Sequence, residues 1–92
     1  MTKYKVLISE TGSRELRELE EAQRNRIKDR LRELAKDPFS TSHRMDLKKL
    51  AGTKRTYYRL RVGEYRVIYF IDGNTIKVVR IAHRSAVYSW LD

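Results

Sequence analysis

Tyr57-Tyr58-Arg59-Leu60-Arg61-Val62-Gly63-Glu64-Tyr65-Arg66-Val67-Ile68-Tyr69 holds two alternating strand patterns that meet at a Gly-Glu pair. A pair of that kind suits the two-residue turn of a β-hairpin. With Gly63 and Glu64 as the loop, Val62 closes against Tyr65, Arg61 lies directly opposite Arg66, and Arg59 follows two residues along the same face. Like charges directly opposite one another destabilise a strand pair. Three guanidiniums gathered on one patch therefore point to an anionic ligand.

The rest of the chain is read outward from this hairpin. A third strand over Thr75 or Ile76 to Ala82 joins through Asp72-Gly73-Asn74 and completes a meander whose first two strands are Thr56 to Val62 and Tyr65 to Ile71. Towards the amino terminus, Tyr4, Val6 and Ile8 alternate with Lys5, Leu7 and Ser9, which predicts a first strand. Ser9 or Thr11 can cap the helix that follows. Leu16 and Leu19, then Ile27, Leu31 and Leu34, give an apolar stripe for two amphipathic helices, or one bent helix, ending at Asp37-Pro38. The interleaved charges there, from Glu18 to Glu33, read as a solvated face. Residues 38–55 lose periodicity and read as a connecting loop, and Ser85 to Leu91 as a short last turn or helix. The fold class expected is α+β. It is a small single domain, 1–92, with an antiparallel sheet of the amino-terminal strand plus the three-strand meander, packed against the two amino-terminal helices.

Hairpin pairing sorts the sheet into two faces. Tyr58, Leu60, Val62, Tyr65, Val67, Tyr69, Ile71, Ile76 and Val78 form the face under the helices. The opposite face carries Tyr57, Arg59, Arg61 and Arg66, and regular alternation adds Lys77, Val79, Ile81 and His83 to it. Ile68 and Phe70 on this second face are apolar, so part of it is expected to be covered.

A chain of 92 residues, 40% of them hydrophobic, is long enough for one core and too short for two. No apolar run approaches the length of about 20 residues that a membrane helix needs, and the expected location is the cytoplasm. Zero cysteines and two isolated histidines argue against disulfides and a zinc site, and no cofactor is expected. The formal charge of +9 is uneven: residues 1–42 carry 10 basic and 8 acidic groups, residues 43–92 carry 11 and 4. Cations concentrated in one part of a small domain are the footprint of a polyanion or of an acidic protein partner.

Guanidiniums bind phosphate through paired hydrogen bonds and stabilise charge developing on a phosphorane-like transition state. In RNA the ribose 2′-hydroxyl supplies the nucleophile, given a group to take its proton. Histidine is the side chain that naturally changes charge near neutrality, which makes His83 a candidate for that task, and Tyr88 is a second candidate, as a phenolate or as a stacking group. Each group also has a structural reading. Arg59, Arg61 and Arg66 suit an ordinary basic sheet face, His83 a strand end, and Tyr88 and Trp90 packing on the core. Lys48, Lys49, Lys54 and Arg55 are polyanion contacts or surface charge.

Taken together, Leu47-Lys48-Lys49-Leu50-Ala51-Gly52, Tyr58 to Tyr69, Ile81-Ala82-His83-Arg84 and Val87-Tyr88 resemble the RelE/ParE toxin superfamily of toxin-antitoxin modules over essentially the whole chain. The resemblance implies a metal-independent, ribosome-dependent endoribonuclease that cuts messenger RNA in the A site by attack of the 2′-hydroxyl. A RelB-like acidic antitoxin that wraps the toxin is implied as partner, with the toxin itself monomeric. Carried over by position, Arg59 and Arg61 stand where such enzymes place basic residues. Arg66 takes the place of the arginine at the scissile phosphate, Arg84 or His83 that of the last basic residue, and Tyr88 that of the base or stacking group. Lys48, Lys49, Lys54 and Arg55 are then expected to contact RNA or the ribosome. Arginine keeps its proton, so at 59 and 61 it grips without transferring one. ParE members share the fold and poison DNA gyrase without cutting RNA.

Overall fold

The computed structural model describes residues 4–38, 47–50 and 56–85. Along the chain run strand β1 (Lys5–Ile8), helices α1 (Glu10–Arg17) and α2 (Glu21–Lys36), and strands β2 (Leu47–Leu50), β3 (Tyr57–Val62), β4 (Tyr65–Asp72) and β5 (Thr75–His83). The five strands form one sheet in the order β1-β5-β4-β3-β2. Among the described residues no helix is long and apolar enough to cross a membrane.

Two features of the sheet depart from the sequence reading. Residues 47–50 are not loop: they pair antiparallel with β3, placing Lys48 across from Arg59 and Lys49 across from Tyr58. A four-residue Leu-Lys-Lys-Leu segment is too short to show alternation, so its strand state comes from the free edge of β3. The sheet is also mixed, because β1 runs parallel to β5, with Val6 across from Ile76 and Ile8 across from Val78. A parallel partner requires a crossover, and here the whole stretch between β1 and β5 supplies it. The expected last turn or helix over Ser85 to Leu91 lies, beyond Ser85, outside the described residues.

Helix α1 begins at Ser9, whose hydroxyl accepts from the Gly12 amide at 2.9 Å and so satisfies one orphan donor of the first turn. The same hydroxyl donates to the Val79 carbonyl at 2.9 Å. Beyond Val78 the strand β1 no longer flanks β5, and side chains of α1 take its place. Glu15 accepts the Ile81 amide at 2.8 Å and the Arg80 guanidinium at 3.0 Å from Nε and 2.9 Å from Nη2. A side-chain carboxylate thus caps the edge of β5 that β1 leaves uncovered.

Leu16 from α1 and Ile27, Leu31 and Leu34 from α2 meet Leu60, Val62, Val67, Tyr69, Ile76, Val78 and Ile81 in one core. Tyr58 and Tyr69 stack within it, with centroids 5.6 Å apart. Burial, and secondarily the neighbouring Tyr58, raise the pKa of the Tyr69 phenol above its ordinary value of 10.0. Because the folded value is the higher one, the stability this group contributes is complete below about pH 10 and is lost as pH rises towards the folded value. Urea midpoints measured across that alkaline range are expected to fall more steeply for the native protein than for Tyr69→Phe.

The β3–β4 hairpin closes at Gly63-Glu64 with Val62 opposite Tyr65, as the sequence predicts. Gly63 has φ of 59° and no non-glycine residue has positive φ among those described. A positive φ at the first central position alone is the signature of the type II′ turn. The Arg26 guanidinium lies over this glycine, 3.3 Å from where a Cβ would stand. Gly63→Ala is expected to cost about 1–2 kcal/mol from the left-handed backbone and to displace Arg26, as a urea melt would register.

Candidate nucleic-acid interface

The hairpin fixes the positions of the three arginines. Arg61 and Arg66 are direct partners across β3 and β4, and Arg59 stands opposite Ile68 two residues along. On strand β2, Lys48 occupies the register position across from Arg59. The Arg66 guanidinium donates from Nη1 to the carbonyls of Gly63 and Tyr65, each at 3.1 Å. The turn backbone therefore orients the charged group before any ligand arrives. Beside this row, Ile68 is fully buried against Tyr57, Val79 and Ala82, and Tyr57 meets Phe70 edge to face at 6.0 Å. An apolar cluster next to fixed cations is a surface able to hold both the flat and the charged parts of a nucleotide.

His83 is not on this face. Ile68 pairs with Arg80 but Tyr69 pairs with Val78, so Val79 is an extra residue in β5, a bulge. One added residue shifts the side-chain phase of everything beyond it. Ile81 falls opposite Val67 and enters the core, and His83 falls opposite Tyr65. Lys77, before the bulge, stays opposite Phe70, and Val79 packs on Ile68, both as expected.

His83 and Arg84 gather instead around the turn residue Glu64. Its carboxylate lies 3.0 Å from Arg84 Nε and 3.7 Å from His83 Nε2, while the Arg84 amide donates to the Glu64 carbonyl at 2.8 Å. The His83 ring packs edge-on against Tyr65, with centroids 5.8 Å apart. Its Nδ1 accepts from the Ser85 amide at 3.3 Å and lies 2.9 Å from the Ser85 hydroxyl, so that Nε2 is the nitrogen turned towards Glu64. The Glu64–Arg84 pair is well exposed, about 60% on both sides, so it organises the turn more than it stabilises the fold. Arg66 from β4 and Arg84 from just beyond the end of β5 thus meet the same two-residue turn. Tyr88, Trp90, Lys54 and Arg55 lie outside the described residues, and Lys49 is placed only by its register opposite Tyr58.

Comparison with known proteins places this geometry. Residues 6–88 match the family model for the ParE toxin of type II toxin-antitoxin systems. The chain belongs to the RelE/ParE toxin superfamily. A curated relative of this toxin, Toxin RelE3 of Methanocaldococcus jannaschii, is 34% identical over 94% of the chain and 97% of the relative. The archaeal RelE-RelB complex from Pyrococcus horikoshii contains a chain that superposes on the toxin with a TM-score of 0.75 at 30% identity, covering 90% of this chain and 97% of that one. A chain of the RelB-RelE antitoxin-toxin complex from Methanococcus jannaschii superposes with a TM-score of 0.72 at 31% identity, over 94% and 99%.

Sequence reasoning did not single out three contributors to the toxin's sheet and turn. Arg26 over Gly63 and Arg30 beside it belong to a charged helix that reads as solvated. Glu15, in the same kind of stretch, is bound to residues 65 and 66 positions away, and no local pattern signals such a contact.

Proposed function

We propose that this toxin is a RelE-type endoribonuclease that cuts messenger RNA on the ribosome in the cytoplasm. The observation that carries the reading is the juxtaposition of Arg61 and Arg66 across one hairpin, with Arg59 alongside, in a chain 34% identical to a RelE toxin. Those guanidiniums hold the scissile phosphate through paired hydrogen bonds and stabilise the extra negative charge as the 2′-hydroxyl attacks. Arg66 contributes most, because the turn carbonyls already aim it. With His83 facing Tyr65 and Glu64, proton removal from the 2′-hydroxyl is assigned to Tyr88 as its phenolate; the bond from phosphorus to the 5′ oxygen breaks, leaving a 2′,3′-cyclic phosphate, and the departing 5′ oxygen takes up a proton from water. Arg84, held by Glu64, supplies a further cation near the hairpin end, and Lys48, Lys49, Lys54 and Arg55 contact the RNA or the ribosome. Neutralisation is assigned to an acidic RelB-like antitoxin, as in the RelE-RelB complexes of the two archaeal relatives.

The family model's own description, a ParE toxin, favours a second reading: a gyrase-directed inhibitor for which the basic face is a docking surface. One pair of assays separates them. Purified protein is added to a translation reaction, cuts in the message are mapped by primer extension, and gyrase supercoiling is measured in parallel. Cuts with supercoiling intact support the nuclease; blocked supercoiling with the message whole overturns it.

A further inference from the structure

A second basic surface lies around the corner of the hairpin from the arginine row. Helix α2 and the end of β3 enclose a cleft of about 410 Å³ lined by Arg26, Asp29, Arg30, Arg61, Val62 and Gly63. That volume falls within the range of ligand-binding clefts, roughly 300–1,000 Å³. β2 pairs with β3 no further than Leu60, so among the described residues no strand flanks Arg61 and Val62 on that side.

The charges in the cleft are unbalanced. Its one carboxylate, Asp29, is bound by Arg32 from outside the cleft. Arg30 lies 3.5 Å from Glu33. Arg26 and Arg61 are exposed and meet no carboxylate among the described residues. Arg26 and Arg30 are also four residues apart on one helix, where like charges destabilise. Arg61 is repelled in turn by Arg66 across the hairpin. Two unfavourable arrangements converge on one hollow, and an anion entering it relieves both.

We propose that this cleft binds a backbone phosphate of single-stranded RNA, with Arg61 shared between it and the arginine row, so that the strand is gripped on both sides of the Gly63-Glu64 turn. The choice of RNA as ligand rests on the nuclease reading; the anion site itself does not. Arg26, lying over the glycine, supplies the fork that meets the phosphate oxygens. Gly63 keeps the approach open.

The test uses isotopically labelled full-length protein observed by NMR. Inorganic phosphate is titrated first, and saturable shifts are expected at the Val62 and Gly63 amides and at Arg26 Nε. A 2′-O-methyl RNA oligonucleotide, which has no attacking hydroxyl and is not cut, is then bound at several salt concentrations. The double variant Arg26→Gln/Arg30→Gln is expected to lower the slope of log K against log salt by about 0.7 for each phosphate that it no longer neutralises. Phosphate shifts confined to Arg59 and Arg66, with an unchanged slope in the variant, overturn the proposal. So do shifts at Gly63 and Arg26 produced by a polyglutamate peptide but by neither phosphate nor RNA. Cleavage is not read in this experiment, so a protein that leaves messages whole yet binds phosphate here refutes the nuclease and retains the cleft.

Discussion

Arg66→Ala is expected to lower message cleavage in a translation reaction by a factor of about 10²–10³, the usual loss when one preoriented donor to a transition-state anion is removed. Its urea midpoint is expected to hold or to rise slightly. The two outcomes have one cause. Arg66 stands directly opposite Arg61, so removing it ends a like-charge repulsion while taking away the group that the carbonyls of Gly63 and Tyr65 hold in place. Arg66→Lys keeps the charge but not the planar fork and is expected to fall between. Growth arrest follows the same order. A variant with lost stability and retained cleavage would make Arg66 a structural residue and remove the central element of the nuclease reading.

Glu15→Ala is expected to destabilise the fold by about 2–4 kcal/mol, measured as a shift of the urea midpoint at unchanged slope. This is a large share of the roughly 5–15 kcal/mol that holds a small domain together. Ile81, 2% exposed, is in the core, and its amide has the Glu15 carboxylate where a neighbouring strand would otherwise provide an acceptor. Alanine leaves that donor without the acceptor and separates the Arg80 guanidinium from its partner at 2.9 Å. Glu15→Gln retains an acceptor for the amide and is expected to recover part of the loss. Equal midpoints for the Ala variant and the native chain would show that water replaces the carboxylate at no cost.

The parts of the fold legible in the sequence are those fixed by short-range rules. A two-residue turn at Gly63-Glu64 sets the Arg61–Arg66 register without reference to the rest of the molecule. The i, i+4, i+7 spacing of Ile27, Leu31 and Leu34 likewise needs only the helix period. The illegible parts depend on distant partners. The strand state of Leu47-Lys48-Lys49-Leu50 depends on β3 offering an edge, and the direction of β1 depends on where β5 lies. The bulge at Val79 leaves no mark in Val78-Val79-Arg80-Ile81, yet it moves His83 from the expected face to the side of Tyr65. The three arginines of the candidate site are readable because the β3–β4 hairpin that places them is regular throughout, and His83 is not because it follows the bulge in β5.

The strand that leads the chain has its partner at residues 75–78, close to the far end of the sequence. Helix α1 likewise draws on Val79, Arg80 and Ile81 for its contacts. The hairpin can form early, since its partners are adjacent, but closure of the sheet spans nearly the full chain and carries the larger entropic cost. A nascent copy that has not yet passed His83 lacks the piece that unites its two ends. The sheet of this toxin therefore closes only once β5 has been made.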